Sequence, residues 1–168
     1  MFLRFIKDFG LKKNIKKRLY NYQAAAATGK IKKVGIIVPE VHNGQLIQRL
    51  TGRGIKGEDI TSLCFIKRKN KQENAKGIFS YTDITAGGDF TGQEVSSFIK
   101  QPFDLLISYY NNGELPLVAA SVQSEAGFKV GLSGADIRIN SLIIDSVAGN
   151  YDEFITELFK YLNTLNKL

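Results

Sequence analysis

The chain has 168 residues, 43% of them apolar and 23% charged, which is the balance of one ordinary globular domain rather than a fibrous or disordered chain. A single cysteine, Cys64, excludes an intramolecular disulfide framework, and a single histidine, His42, excludes a histidine-rich metal site. The net charge of +7 is unevenly placed. Residues 1–33 hold ten basic side chains (Arg4, Lys7, Lys12, Lys13, Lys16, Lys17, Arg18, Lys30, Lys32, Lys33) against one acid, Asp8, a net of +9. Residues 34–168 hold the other 13 basic and 15 acidic residues, a net of −2. The sequence therefore reads as a basic arm, 1–33, ahead of a single domain, 34–168. Such an asymmetry points to a polyanionic partner.

Within the arm, Phe2, Phe5, Ile6, Phe9, Ile15, Leu19 and Tyr22 recur at three- and four-residue steps, apart from one longer stride across Gly10. That spacing predicts a helix with an apolar face, and Lys12, Lys13, Lys16 and Lys17 fall together on another side. Gly10 predicts a bend or a break between two short helices. Residues 23–28 continue the helix weakly, with Gly29 closing it. No apolar run matches a secretory signal, and none approaches the roughly 20 residues of a membrane span. The expected location is cytoplasmic, where Cys64 stays reduced.

From residue 34 onward, short apolar runs alternate with helical segments. Residues 34–38 (VGIIV) read as a strand buried on both faces. A helix over 43–50 is closed by Gly52 and Gly54, then come a strand at 63–66, a charged loop at 67–76 and a short strand at 78–81. Thr91-Gly-Gln-Glu94 has capping-box spacing ahead of a helix that Pro102 stops. The strongest strand pattern lies at 105–109, followed by a turn at 111–113 and a helix started near Pro116. Strands at 128–132 and 141–145 precede a closing helix, capped by Asn150 and Glu153, whose stripe runs Tyr151, Phe154, Ile155, Leu158, Phe159, Leu162 and Leu165. The alternation predicts an α/β fold: a Rossmann-like open, mainly parallel sheet with helices on both faces, preceded by the basic helical arm.

Each chemical motif has a plainer structural reading. Gly52-Arg-Gly-Ile-Lys-Gly57 matches G-x-G-x-x-G, but it follows a helix and leads into a strand, so it reads as a helix end. Gly87-Gly-Asp-Phe90 resembles the GG[DE]EF signature of cyclic-dinucleotide synthases but lacks the second acidic position, and reads as a loop. His42, with Glu40 nearby, stands just after the first strand, where α/β folds place ligands. It has no evident nucleophile or metal-ligand partner, so capping or exposure is expected. Cys64, inside an apolar strand, is expected to be a buried small hydrophobe. Residues 133–138 read as a loop, with an anion cradle as the alternative. No catalytic residue, metal or cofactor is predicted, and no small-molecule substrate is evident.

The expected RNA-contacting residues are the ten basic side chains of the arm together with Tyr20 and Tyr22. The loop residues Lys67, Arg68, Lys69 and Lys71 extend that surface. Lysine and arginine neutralise phosphates with release of counterions, and tyrosines stack on unpaired bases. The expectation is a non-enzymatic RNA-binding protein associated with the ribosome, touching ribosomal RNA and neighbouring ribosomal proteins. One alternative is a Rossmann-like enzyme or nucleotide binder using the carboxyl edge of the sheet. Another is a peripheral membrane protein, because Phe2, Leu3, Phe5, Ile6 and Phe9 over a basic face resemble an interfacial anchor.

At Phe103-Asp-Leu-Leu-Ile-Ser-Tyr-Tyr110, Phe128-Lys-Val-Gly-Leu132 and residues 154–165, the chain resembles a family of small basic proteins from Bacteroidota with no established activity. The resemblance extends to Lys16-Lys-Arg-Leu19 and Val34-Gly-Ile-Ile37, and implies neither a reaction nor catalytic residues. The strand order is also similar to the formyltransferase-type Rossmann domain. The Asn, His and Asp constellation of that activity is missing here, so the activity is not implied.

Overall fold

The computed structural model describes residues 1–22, 29–68 and 75–168. Among these residues six strands form one all-parallel sheet: β1 (Val34–Pro39), β2 (Ile60–Phe65), β3 (Ile78–Phe79), β4 (Leu105–Ser108), β5 (Lys129–Leu132) and β6 (Leu142–Ile144). Their spatial order is β3-β2-β1-β4-β5-β6, so the direction of winding reverses between β1 and β4. Val34 pairs with Ile60 on one side and Leu105 on the other. Parallel neighbours require crossovers, and helices supply several of them. They are α2 (Gln45–Gly52) after β1, α3 (Gln93–Ile99) after β3 and α4 (Leu115–Gln123) after β4, with α5 (Tyr151–Thr164) following β6. Helices on both faces explain why β4 and β5 are buried along their whole length rather than alternately.

Side chains alternate across the sheet into two cores. Val34, Ile36, Val38, Leu105, Ile107 and Val130 pack with α2 and α5, where Leu46, Leu50, Phe154, Leu158 and Leu162 are buried. Ile37, Leu63, Phe65, Phe79 and Leu106 pack with α3 and α4. A third layer lies outside α4. Helix α1 (Phe2–Tyr20) runs across it, and Leu11, Ile84 and Ala119 form a small buried cluster between them. Residues 116–122 of α4 are therefore buried on all sides, which accounts for that segment's lack of a charged face.

Two features of α1 correct the sequence reading. The helix is continuous, and Gly10 marks a close approach rather than a break. A Cβ placed on Gly10 would lie 2.1 Å from the Ala86 carbonyl oxygen, and one on Gly88 would lie 2.5 Å from the Gly10 backbone. Gly88 also has φ of +84°, a conformation that glycine adopts without strain. The segment 87–90 that resembled an enzymatic signature is thus the seat for α1. The second correction concerns the apolar stripe. Gly10 and Leu11 are buried and Ile15, Leu19 and Tyr22 half-buried, but Phe2, Leu3, Phe5 and Phe9 are 67–75% exposed and point away from the body.

Two capping expectations also change. α3 begins after Gly92 with no side-chain cap, because the Glu94 carboxylate accepts instead from the Gly77 amide at 2.7 Å. A capping box does form, but at Ser80 and Asp83 beyond β3. Asn150 is the N-cap residue of α5, with its amide donating to Glu153 rather than capping the backbone. α2 ends at Gly52, with Gly54 in the left-handed region at φ +96°, so the glycine triplet closes a helix as expected. The expected weak helix at 23–28 lies outside the described residues.

Candidate nucleic-acid interface

Helix α1 is tied down at both ends, and the ties occupy several of the predicted RNA contacts. Lys7 donates to the Tyr81 carbonyl oxygen at 2.7 Å, and the Tyr81 hydroxyl donates to Asp8 at 2.7 Å. Arg4 lies over the Tyr81 ring at 5.0 Å and pairs with Asp8 at 4.0 Å. Near the other end, Arg18 donates to Asn14 at 2.7 Å, and Asn14 donates to Asp89 at 2.9 Å. Tyr22 is half-buried, with its hydroxyl donating to the Ile139 carbonyl oxygen and its ring over Lys129.

The groups left over form the basic face. Lys12, Lys13, Lys16 and Lys17 are exposed, and none has a carboxylate partner among the described residues. Residues 2, 9, 13, 16 and 20 follow steps of seven, four, three and four, so they share one side of the helix. The outward stripe thus runs from Phe2 and Phe9 to Lys13, Lys16 and Tyr20, the last 90% exposed. Sequence periodicity placed Phe2, Phe5 and Phe9 on one apolar face with Ile15, Leu19 and Tyr22, and the structure divides that face. The burial of Gly10, which no hydrophobic count registers, is what rotates the helix.

The remaining predicted contacts are spread along the sheet. Lys32 and Lys33 precede β1 at the amino ends of the strands, where their backbone amides donate to Asp104 at 2.9 and 2.7 Å. Lys30 donates to Asn166 and to the Leu168 oxygen. Lys67 and Arg68 follow β2 at the opposite, carboxyl edge and are exposed. Lys69 and Lys71 lie outside the described residues.

An open cleft of about 620 Å³ borders the second half of α1, lined from the helix by Asn14, Lys17, Arg18, Asn21 and Tyr22. Asp89 and Val122 complete its wall. Beside it lies an unusual buried cation. Lys129, 2% exposed, donates to the Ser121 carbonyl oxygen at 2.8 Å in the last turn of α4 and faces the Tyr22 ring at 5.1 Å. Burial pushes its pKa down to about 8. Next to it the Tyr110 hydroxyl donates to Ser121 Oγ, which also bonds Ser108 Oγ; burial pushes the Tyr110 pKa up to about 12.

The carboxyl edge between β1 and β4, the switch point where such sheets place ligands, is filled by rings. His42 Nδ1 lies 2.7 Å from the Tyr151 hydroxyl, the His42 ring stands edge-on to Tyr109 at 5.1 Å, and Tyr109 stacks on Tyr151 at 5.5 Å. Burial lowers the His42 pKa. Cys64 is buried and its thiol is pushed up to about 11, so the inert reading holds. In the 133–138 loop, the Arg138 guanidinium is engaged by Asp136 at 2.7 Å and holds that carboxyl below its usual range. Arg138 is therefore committed to its neighbour.

Among the described residues no three His, Cys, Asp or Glu side chains cluster as metal ligands would. No helix among them is long and apolar enough to cross a membrane. No curated protein and no solved structure matches the chain. Residues 7–165 match a family described as "Family of unknown function (DUF6913)". That match spans α1 from Lys7 onward, the six strands and the helices packed on the sheet, and the chain belongs to this family.

Proposed function

We propose that this protein is a non-enzymatic RNA-binding protein of the cytoplasm that associates with the ribosome, laying α1 along the phosphates of ribosomal RNA. Its α/β body then sits against RNA or neighbouring ribosomal proteins. The observation that carries the reading is the cluster of Lys12, Lys13, Lys16 and Lys17 on the outward side of a docked helix, without carboxylate partners among the described residues and beside exposed Tyr20. Each phosphate neutralised releases condensed counterions, and a helix already seated on its domain needs no ordering on binding. Replacing the four lysines by alanine is expected to weaken ribosome co-sedimentation at least tenfold at physiological salt. The log–log salt dependence on single-stranded RNA should become shallower by about three, from roughly 0.7 per phosphate contact. Undiminished co-sedimentation of that variant overturns the proposal.

A second reading rests on a different observation. Phe2, Leu3, Phe5 and Phe9 expose large apolar surface beside the same lysines, an arrangement suited to an anionic bilayer surface. Flotation with vesicles of phosphatidylcholine and phosphatidylserine separates the two. In the membrane reading, Phe5→Ser/Phe9→Ser abolishes flotation. In the RNA reading, the same variant leaves RNA binding intact and the wild type does not float.

A further inference from the structure

We propose that the cleft between the second half of α1 and α4 holds one unstacked nucleotide unit, its phosphate on Lys17 and Arg18 and its base against the Tyr22 ring. This rests on the RNA reading of α1 and assigns to it a site of defined chemistry. Lys17 also lines the cleft; the other outward lysines, Lys12, Lys13 and Lys16, can engage any phosphate chain, duplex or single. The cleft cannot. It is a concave space of about 620 Å³ whose α1 wall carries two cations, two carboxamides and an aromatic ring, the combination that single-stranded nucleic acid sites use for phosphate, base edge and base face.

The geometry supplies each part. Arg18 spends only its Nε–H on Asn14, so among the described residues the terminal NH₂ groups of its fork have no other partner. Lys17 is exposed, and Asn21, at the end of α1, has a side-chain amide with no bond among the described residues. Asn14 is held on both sides, accepting from Arg18 and donating to Asp89, which fixes the guanidinium at the cleft wall. Asp89 is the one carboxylate of the lining among the described residues and opposes a phosphate; its Oδ1 accepts from Asn14. Against it stand Lys17, Arg18 and, behind the Tyr22 ring, the buried ammonium of Lys129. With its hydroxyl anchored to Ile139 and Lys129 behind it, the Tyr22 ring stands fixed at the cleft wall, pre-set for a base.

The chemistry fits a nucleotide within a strand or a free one, and the experiment distinguishes them. The full-length protein is titrated by fluorescence anisotropy with a labelled oligouridylate octamer and with a duplex of equal length, and by NMR with uridine monophosphate. The octamer should bind more tightly than the duplex. Tyr22→Leu should weaken the octamer about tenfold, the worth of one stacked base, and leave the duplex unchanged. Arg18→Ala/Asn21→Ala, at two exposed positions, should also weaken the octamer, and by a larger factor than the duplex, which loses only the general charge of Arg18. If the octamer binds but both variants bind it like wild type, the cleft proposal is overturned while the RNA reading stands. If the monophosphate shifts the Asn21 and Tyr22 signals and the octamer does not bind, the cleft is confirmed as a free-nucleotide site and the RNA reading fails. Binding of neither overturns both.

Discussion

Gly10→Ala is expected to destabilise the protein by about 2 kcal/mol, the cost of forcing a methyl group into a filled contact. The sign is the informative part. In an exposed helix interior the same change stabilises by roughly 0.5–1 kcal/mol, because glycine has more backbone freedom to lose. Here the new Cβ would sit 2.1 Å from a backbone carbonyl oxygen that no side-chain rotation can remove, so the steric term wins. Urea unfolding of the variant measures the effect. Limited proteolysis should show faster cleavage within residues 1–22, because α1 lifts from the segment at 86–88. A stabilised variant would mean that α1 does not seat on that segment.

The second large effect is pH-dependent. Lys129 has a folded-state pKa of about 8 against an ordinary 10.5, so between those values the folded chain has released a proton that the unfolded chain still binds. Stability contributed by this group therefore rises with pH across that window. Lys129→Met removes the titration while keeping the length of the side chain. The stability of wild type relative to the variant should increase by on the order of 3 kcal/mol between pH 7 and pH 11, from a shift worth about 1.4 kcal/mol per pH unit. Cys64 and Tyr110, whose pKa values are raised by burial, lose stability at the alkaline end, but they are common to both proteins and cancel in the comparison. Urea midpoints at several pH values provide the measurement; a constant difference would show that Lys129 titrates as it does in water.

The sheet was legible because its information is local. Runs such as residues 34–38 and 105–109 are too apolar to face water on either side, and the intervening helical spacings demanded parallel crossovers. Element ends were less legible. β3 stops after two residues because the Ser80–Asp83 capping box turns the chain, a signal that lies outside the strand itself. The orientation of α1 was not legible at all. Periodicity counts apolar side chains, and it groups Phe2, Phe5 and Phe9 with Ile15, Leu19 and Tyr22 without saying which of them meet the body. What decides the matter is a contact between two glycine backbones far apart in sequence, and a missing side chain leaves no trace in a hydrophobic pattern. The burial of Lys129 was illegible for a related reason. A lysine opening an apolar strand reads as an exposed end, and its burial depends on Tyr22 of another element covering it.

Helix α1 also acts mechanically on the sheet. Its first turns are fastened to Tyr81, just past the end of β3 on one flank, and its far end to Ile139 and Lys129 on the other flank. It is a diagonal brace. A two-residue edge strand has almost no holding power of its own, so β3 keeps its register with β2 by leverage from a helix some sixty residues earlier in the chain. Opening of one margin of the sheet is thereby coupled to the other, and hydrogen exchange at the Ile66 amide, bonded to Phe79, should accelerate whenever the N-terminal helix is loosened.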